Sequence, residues 1–143
     1  MGDRRQAREL ALQALYYFDV DKGSPDELLA LFCSNFEDRI DESIRPFFLD
    51  LVKGVTQARA EVDDLMNRSS SNWKVSRMPI VDRNIMRMAI FEMLKQPDIP
   101  PTVSINEAVE IGKRFGTRGS GAFINGVLDK IRVLKNIDRG EKE

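Results

Sequence analysis

Ser104 to Ile131, SINEAVEIGKRFGTRGSGAFINGVLDKI, reads as two short helices joined by a glycine-rich elbow. Ser104 followed three residues later by Glu107 fits a capping box, in which each side chain satisfies a free N–H of a helix's first turn. Ile105, Ala108, Val109 and Gly112 fall on one face at helical spacing, with Phe115 a step further. Gly116 is the expected stop, because glycine readily takes the left-handed conformation of a C-terminal cap. Ser120 can cap a second helix, whose apolar stripe is Phe123, Ile124, Val127, Leu128 and Ile131. Around the elbow lie Lys113, Arg114 and Arg118, and no acidic residue occurs from Ile111 to Gly126. Cations, glycines and an aromatic at a helix start suit an anionic, flat-faced partner, which points to nucleic acid.

Immediately upstream, PDIPP (Pro97 to Pro101) breaks the chain. Before it, Pro79 to Gln96 is expected to be a helix apolar over most of its circumference, with Ile85, Met88 and Ala89 on one side and Met86, Ile90 and Met93 on another. Such a helix belongs at the centre of a fold. Asp82 near its start is favoured by the helix dipole. Glu92, set among apolar neighbours, needs a cationic or hydrogen-bonding partner if buried. NRSSSNWK (Asn67 to Lys74) reads as a loop, with Trp73 packed down as its lid. The longest expected helix starts near Ser43 and runs through Met66, with Ile44, Phe48, Leu51, Val55, Ala58, Val62 and Leu65 on its apolar face. Gly54 inside it costs about 1 kcal/mol against alanine, which a closely crossing helix can offset.

SPDE (Ser24 to Glu27) opens a short helix bearing Leu28, Leu29, Phe32 and Phe36. The first helix runs from a cap at Asp3 to about Val20, with Ala7, Leu10, Ala11, Ala14, Leu15 and Phe18 as its stripe. Arg4, Arg5 and Arg8 fall beside that stripe, where guanidinium groups can face solvent and pair with phosphate. The same three are also read as ordinary solvated cations at a helix start. Tyr16 and Tyr17 are half-buried aromatics, one of which can anchor a partner. No alternating β-pattern occurs, so the expected fold is all-α. It is expected as one domain over residues 1–143, with a charged, frayed tail over 137–143.

The 143 residues are 42% apolar and 31% charged, an ordinary globular composition. A single cysteine, Cys33, excludes an internal disulfide and fits a reducing, cytoplasmic compartment. Neither export nor membrane spanning is expected, since no leader pattern and no run of eighteen apolar residues is present. Net charge is only −1, but it is unevenly spread. The segment Asp19 to Asp50 is strongly acidic, while the N-terminus and the elbow are basic. That distribution fits either one polyanionic partner plus a second contact or plain solubility patterning.

Catalytic and metal chemistry find no support. The chain has no histidine and one cysteine, which leaves no Cys–His pair and no zinc-ligand cluster. The elbow, Gly116-Thr117-Arg118-Gly119-Ser120-Gly121, lacks the lysine of a phosphate loop and follows a helix instead of a strand. No cofactor and no enzymatic activity are expected.

Four stretches, RRQARELALQALY, VDRNIMRMAIFEML, PTVSINEAVEIGKRFG and FINGVLDKI, together resemble the NusB family of bacterial transcription antitermination factors. The resemblance implies an all-helical fold of about seven helices in two packed bundles. It implies binding to single-stranded boxA RNA of nascent ribosomal transcripts, with NusE, a small-subunit ribosomal protein, in the RNA polymerase antitermination complex. By position it assigns RNA contact to Arg4, Arg5, Arg8 and Phe123, and places Tyr16 and Asp82 towards NusE. Charge and proximity in sequence add Lys113, Arg114 and Arg118 to the RNA set. The competing reading is a helical protein–protein adaptor without direct RNA contact.

Overall fold

In the computed structural model, which describes residues 2–137, the regular structure is helical throughout, with no strand among the described residues. The helices are α1 (Asp3–Val20), α2 (Pro25–Asn35), α3 (Arg45–Ser69), α4 (Ile80–Lys95), α5 (Pro101–Phe115) and α6 (Ser120–Leu134). Single 3-10 turns occur at Glu37–Arg39 and Val75–Arg77. The expected tail lies outside the described residues apart from Ile137, which packs against the core.

α4 holds the two helical groups together. It packs on α1 and α3 on one side, and on the hairpin of α5 and α6 on the other. Residues 84–93 are buried without interruption, as the all-round apolar pattern requires. The four methionines Met78, Met86, Met88 and Met93 are all in the core. Their unbranched thioether chains fill irregular gaps between helices that cross from several directions. α3 turns Phe48, Leu51, Val52, Val55, Val62, Leu65 and Met66 inward.

α4 packs closely on α3 at Gly54. A Cβ there would lie 2.1 Å from Cζ of Phe91, so the glycine is the socket for that ring. Gly54→Ala gains about 1 kcal/mol of helix propensity but overfills the contact, at a cost of about 1–3 kcal/mol. The expected result is a net loss of about 1–2 kcal/mol in urea unfolding. Gly54→Ala combined with Phe91→Leu should recover part of that loss. A Gly54→Ala protein as stable as the parent would mean the ring moves aside freely.

Several local expectations are corrected by the packing. α5 begins at Pro101 instead of Ser104, because proline is pre-set for the first helical position. Ser104 is therefore inside the helix, and the capping box with Glu107 does not form. α6 is entered from Gly119, and Ser120 is its first helical residue. Gly116 does end α5, but in an extended conformation (φ −92°, ψ −159°). Its missing side chain matters for room, since a Cβ would lie 2.3 Å from Ser120 Oγ. α3 continues to Ser69 and shortens the expected loop. Trp73 is 48% exposed and not a packed lid. Asp3 is the first residue of α1 and forms no side-chain cap.

Candidate nucleic-acid interface

α1 and α5 are joined by ion pairs between residues far apart in sequence. Arg5 donates from Nε and Nη2 to the two oxygens of Glu107 at 2.5 and 2.7 Å. Further along, Arg114 of α5 reaches Glu9 of α1 at 3.0 Å. The Glu107 hydrogen bonds raise the Arg5 guanidinium above its ordinary value, against the opposing effect of burial. The same bonds hold the Glu107 carboxyl below its ordinary range, again against burial.

The three arginines of α1 have three different environments. Arg4 is exposed, 3.6 Å from Asp98, with its guanidinium 4.8 Å from the centre of the Phe47 ring. Arg5 is half-buried against Glu107. Arg8 is only 4% exposed. It makes a paired contact with Glu92 at 2.8 and 2.7 Å and a third, longer one with Glu107 at 3.4 Å. Ser104 Oγ donates to the same Glu92 at 2.7 Å. The requirement that a buried Glu92 find a partner is thus met twice over. The expectation of a solvent-facing Arg8 is corrected: its donors are occupied by carboxylates inside the fold. Glu107 and Glu92 were not legible as its partners, since neither is near it in sequence.

At the other end of α5, Lys113 and Arg114 straddle the helix. Lys113 is exposed, paired to Glu110 at 3.3 Å, and its stem lies across the start of α6. A Cβ on Gly121 would come within 3.1 Å of Lys113 Cγ. Gly112 gives α6 its close approach, since a Cβ there would meet Ile124 at 2.6 Å. Arg114 lies 5.1 Å from the Phe115 ring centre and points back to α1. Arg118, at the tip of the elbow, is exposed and makes no ion pair among the described residues. Phe123 is half-buried in the first turns of α6, packed against the core. Ser120 pins the elbow: its Oγ donates to Asp82 at 2.7 Å and accepts from the Thr117 N–H at 2.9 Å. One surface therefore runs from the α1 N-terminus across α5 to the elbow.

Tyr16 lies further along α1, towards its C-terminal end. It is 43% exposed and lines an apolar groove of about 470 Å3 with Leu12, Tyr17, Phe36 and Phe115. Asp82, expected towards the same partner, is 3% exposed. It is taken up by Ser120, so a partner cannot reach its carboxylate without opening the elbow. The neighbouring Val81 is the residue that lines the groove.

The model of the NusB family matches residues 5–132. The chain belongs to the NusB family. The transcription antitermination protein NusB of Desulfatibacillum aliphaticivorans is 52% identical over 144 residues, covering 100% of this chain and 99% of its own. That of Myxococcus xanthus is 46% identical over 138 residues, covering 95% of this chain and 99% of its own. Among solved structures, T. maritima NusB superposes with a TM-score of 0.81 at 34% identity, covering 90% of this chain and 89% of that one. NusB is a family of transcription antitermination factors and not of enzymes. No helix among the described residues is long and apolar enough to cross a membrane. No group of three or more metal-ligating side chains occurs among them either.

Asp19, whose role is not evident from the sequence, is the centre of a second buried network. It accepts from Arg83, Asn84 and Arg87, each at 2.9 Å. Burial alone would raise its pKa. The hydrogen bonds from Arg83 and Asn84 and the charge of Arg87 outweigh that and hold it at about 2. The one available signal was an acid in the last turn of α1, where the helix dipole disfavours it.

Proposed function

We propose that this NusB chain acts in the cytoplasm as an antitermination factor that binds single-stranded boxA RNA together with NusE. The RNA would lie along the surface from α1 to the elbow. The observation that carries this reading is the stem of Lys113 lying over Gly121, two residues before Phe123. It brings an exposed cation of α5 onto the first turn of α6, the helix that carries Phe123, with exposed Arg118 in the adjoining elbow. A strand can then place phosphates on Arg4, Lys113 and Arg118 while a base stacks on Phe123. Arg5 and Arg114 contribute from partly occupied guanidinium groups, and Arg8 acts by fixing α1 against α4 and α5. A NusB of the same fold, 23% identical with a TM-score of 0.82, stands with NusE and dsRNA in a crystal structure, which supports RNA and NusE as the classes of partner. For NusE, the groove beside Tyr16 offers an apolar seat with a polar-tipped aromatic at its edge. Asp82 would act on that side only by holding the elbow.

Phosphate contacts release counterions at roughly 0.7 per charge on single strands. Lys113→Ala with Arg118→Ala should therefore weaken binding and flatten the salt dependence by roughly 1.4 in the log–log slope. Phe123→Ala should cost about 1–3 kcal/mol at an unchanged slope, with circular dichroism to check that α6 stays folded. The measurement is fluorescence anisotropy on boxA RNA at several salt concentrations, with NusE present. Unchanged affinity and slope in the double variant would remove the elbow from the RNA site and favour an adaptor without direct RNA contact.

A further inference from the structure

A cavity of about 540 Å3 opens between the last turn of α1, α3 and the Val75–Arg77 turn. The length of α1 separates Asp19 there from Arg4 by roughly 22 Å, at 1.5 Å rise per residue, so it is not part of the surface described above. Five cationic and two acidic side chains line it. The acids are already engaged in its floor. Asp19 accepts from Arg83 and Arg87, and Asp63 holds Arg87 through paired bonds at 2.8 and 3.0 Å. The cations at the mouth are less well matched. Arg59 approaches Asp19 and Asp63 only at 3.5 Å. Lys22 and Lys74 are exposed and make no ion pair among the described residues.

The result is an excess of three positive charges converging on a polar cavity, with Ser76 also in its wall. Like charges lining one cavity repel, and an anion between them relieves that repulsion. One guanidinium and two ammonium groups arranged around a hollow match a multiply charged tetrahedral oxyanion, the guanidinium by paired hydrogen bonds and the lysines as point charges. Trp73, next to Lys74 in the chain, adds an exposed aromatic that a base could stack on.

We propose that this cavity binds a phosphate-type oxyanion, held by Lys22, Arg59 and Lys74 with Arg83 behind them. The phosphate is supplied either by a free polyphosphate or by the backbone of a nucleic-acid strand. The test is calorimetric titration of the full chain with sodium pyrophosphate at constant ionic strength, repeated with a single-stranded RNA hexamer. One saturable pyrophosphate site is expected, weakened at least about tenfold in Lys22→Ala/Lys74→Ala. Thermal unfolding should be unchanged in that variant, since both side chains are exposed. If the hexamer displaces pyrophosphate and is weakened by the same substitutions, the source is a nucleic-acid backbone. If the hexamer does not compete, the site serves a free polyphosphate. Absence of saturable binding at millimolar pyrophosphate, or equal affinity in parent and double variant, overturns the proposal.

Discussion

Arg8→Ala should unfold at a much lower urea concentration than the parent, with a loss of about 3–5 kcal/mol. The reason is what it leaves behind. Glu92 is 1% exposed, and without Arg8 its charge would keep only the Ser104 hydroxyl as a partner. A buried pair contributes little net stability when present, because both ions must be stripped of water, but breaking one half strands the other. Replacing both, as Arg8→Met with Glu92→Leu, should therefore recover most of the loss. Arg4→Ala, which removes an exposed cation from the same helix end, should change stability by no more than about 1 kcal/mol. Arg8→Ala unfolding within 1 kcal/mol of the parent would show that Arg8 is not the anchor its burial implies. Weakened RNA binding in that variant, taken alone, would say little about direct contact, since the whole N-terminal edge depends on this pair.

Asp19→Ala should be comparably damaging, at about 3–5 kcal/mol, because it deprives Arg83, Asn84 and Arg87 of a shared acceptor at once. The same residue predicts a pH dependence. In the unfolded chain an aspartate titrates near 3.9, whereas in the fold Asp19 is held at about 2. The unfolded state thus takes up its proton first as pH falls. The stabilisation is complete above about pH 5 and is lost progressively towards pH 2, amounting to about 2–3 kcal/mol. Glu107, also lowered, adds a change of the same sign in acid. Asp19→Asn should flatten the acid side of the stability curve while leaving the Glu107 component. Parallel curves for parent and Asp19→Asn between pH 5 and pH 2 would rule out Asp19 as the source.

The helical architecture was legible because periodic burial is a property of sequence alone. Ile85 to Met93 advertised a central helix, Gly54 a close crossing, and Glu92 a need for a partner. The ion pairs were not legible for a physical reason. Ser104 and Glu107 have the spacing of a capping box, and only the proline-set start of α5 shows that they do something else. Arg4, Arg5 and Arg8 lie on the border between the apolar and polar faces of α1. A rotation too small to read from periodicity decides which of them is buried. Asp82 and Asp19 were open to the same ambiguity, as acids at helix ends whose partners come from distant segments. The elbow's composition was informative, but glycine there serves packing where a left-handed cap was expected. Trp73 is exposed although Ser70 and Val75 on either side of it are buried, so the few residues left between α3 and the next turn fold down without it.

The partners that fix α1 in place also bear on the order in which the molecule completes itself. Arg5, Arg8 and Glu9 pair with residues 84 to 105 positions later. Contacts of such sequence separation form late, because the intervening chain must first be brought together. On a ribosome, the first helix to emerge would wait for nearly all of the remaining chain before its charged edge found its counterparts. A nascent chain stopped before Pro101 would have α1, α3 and α4, but neither Glu107 nor Arg114 to close the α1 edge. The surface proposed for RNA is thus among the last parts of this chain to exist, although its first residues are among the earliest made.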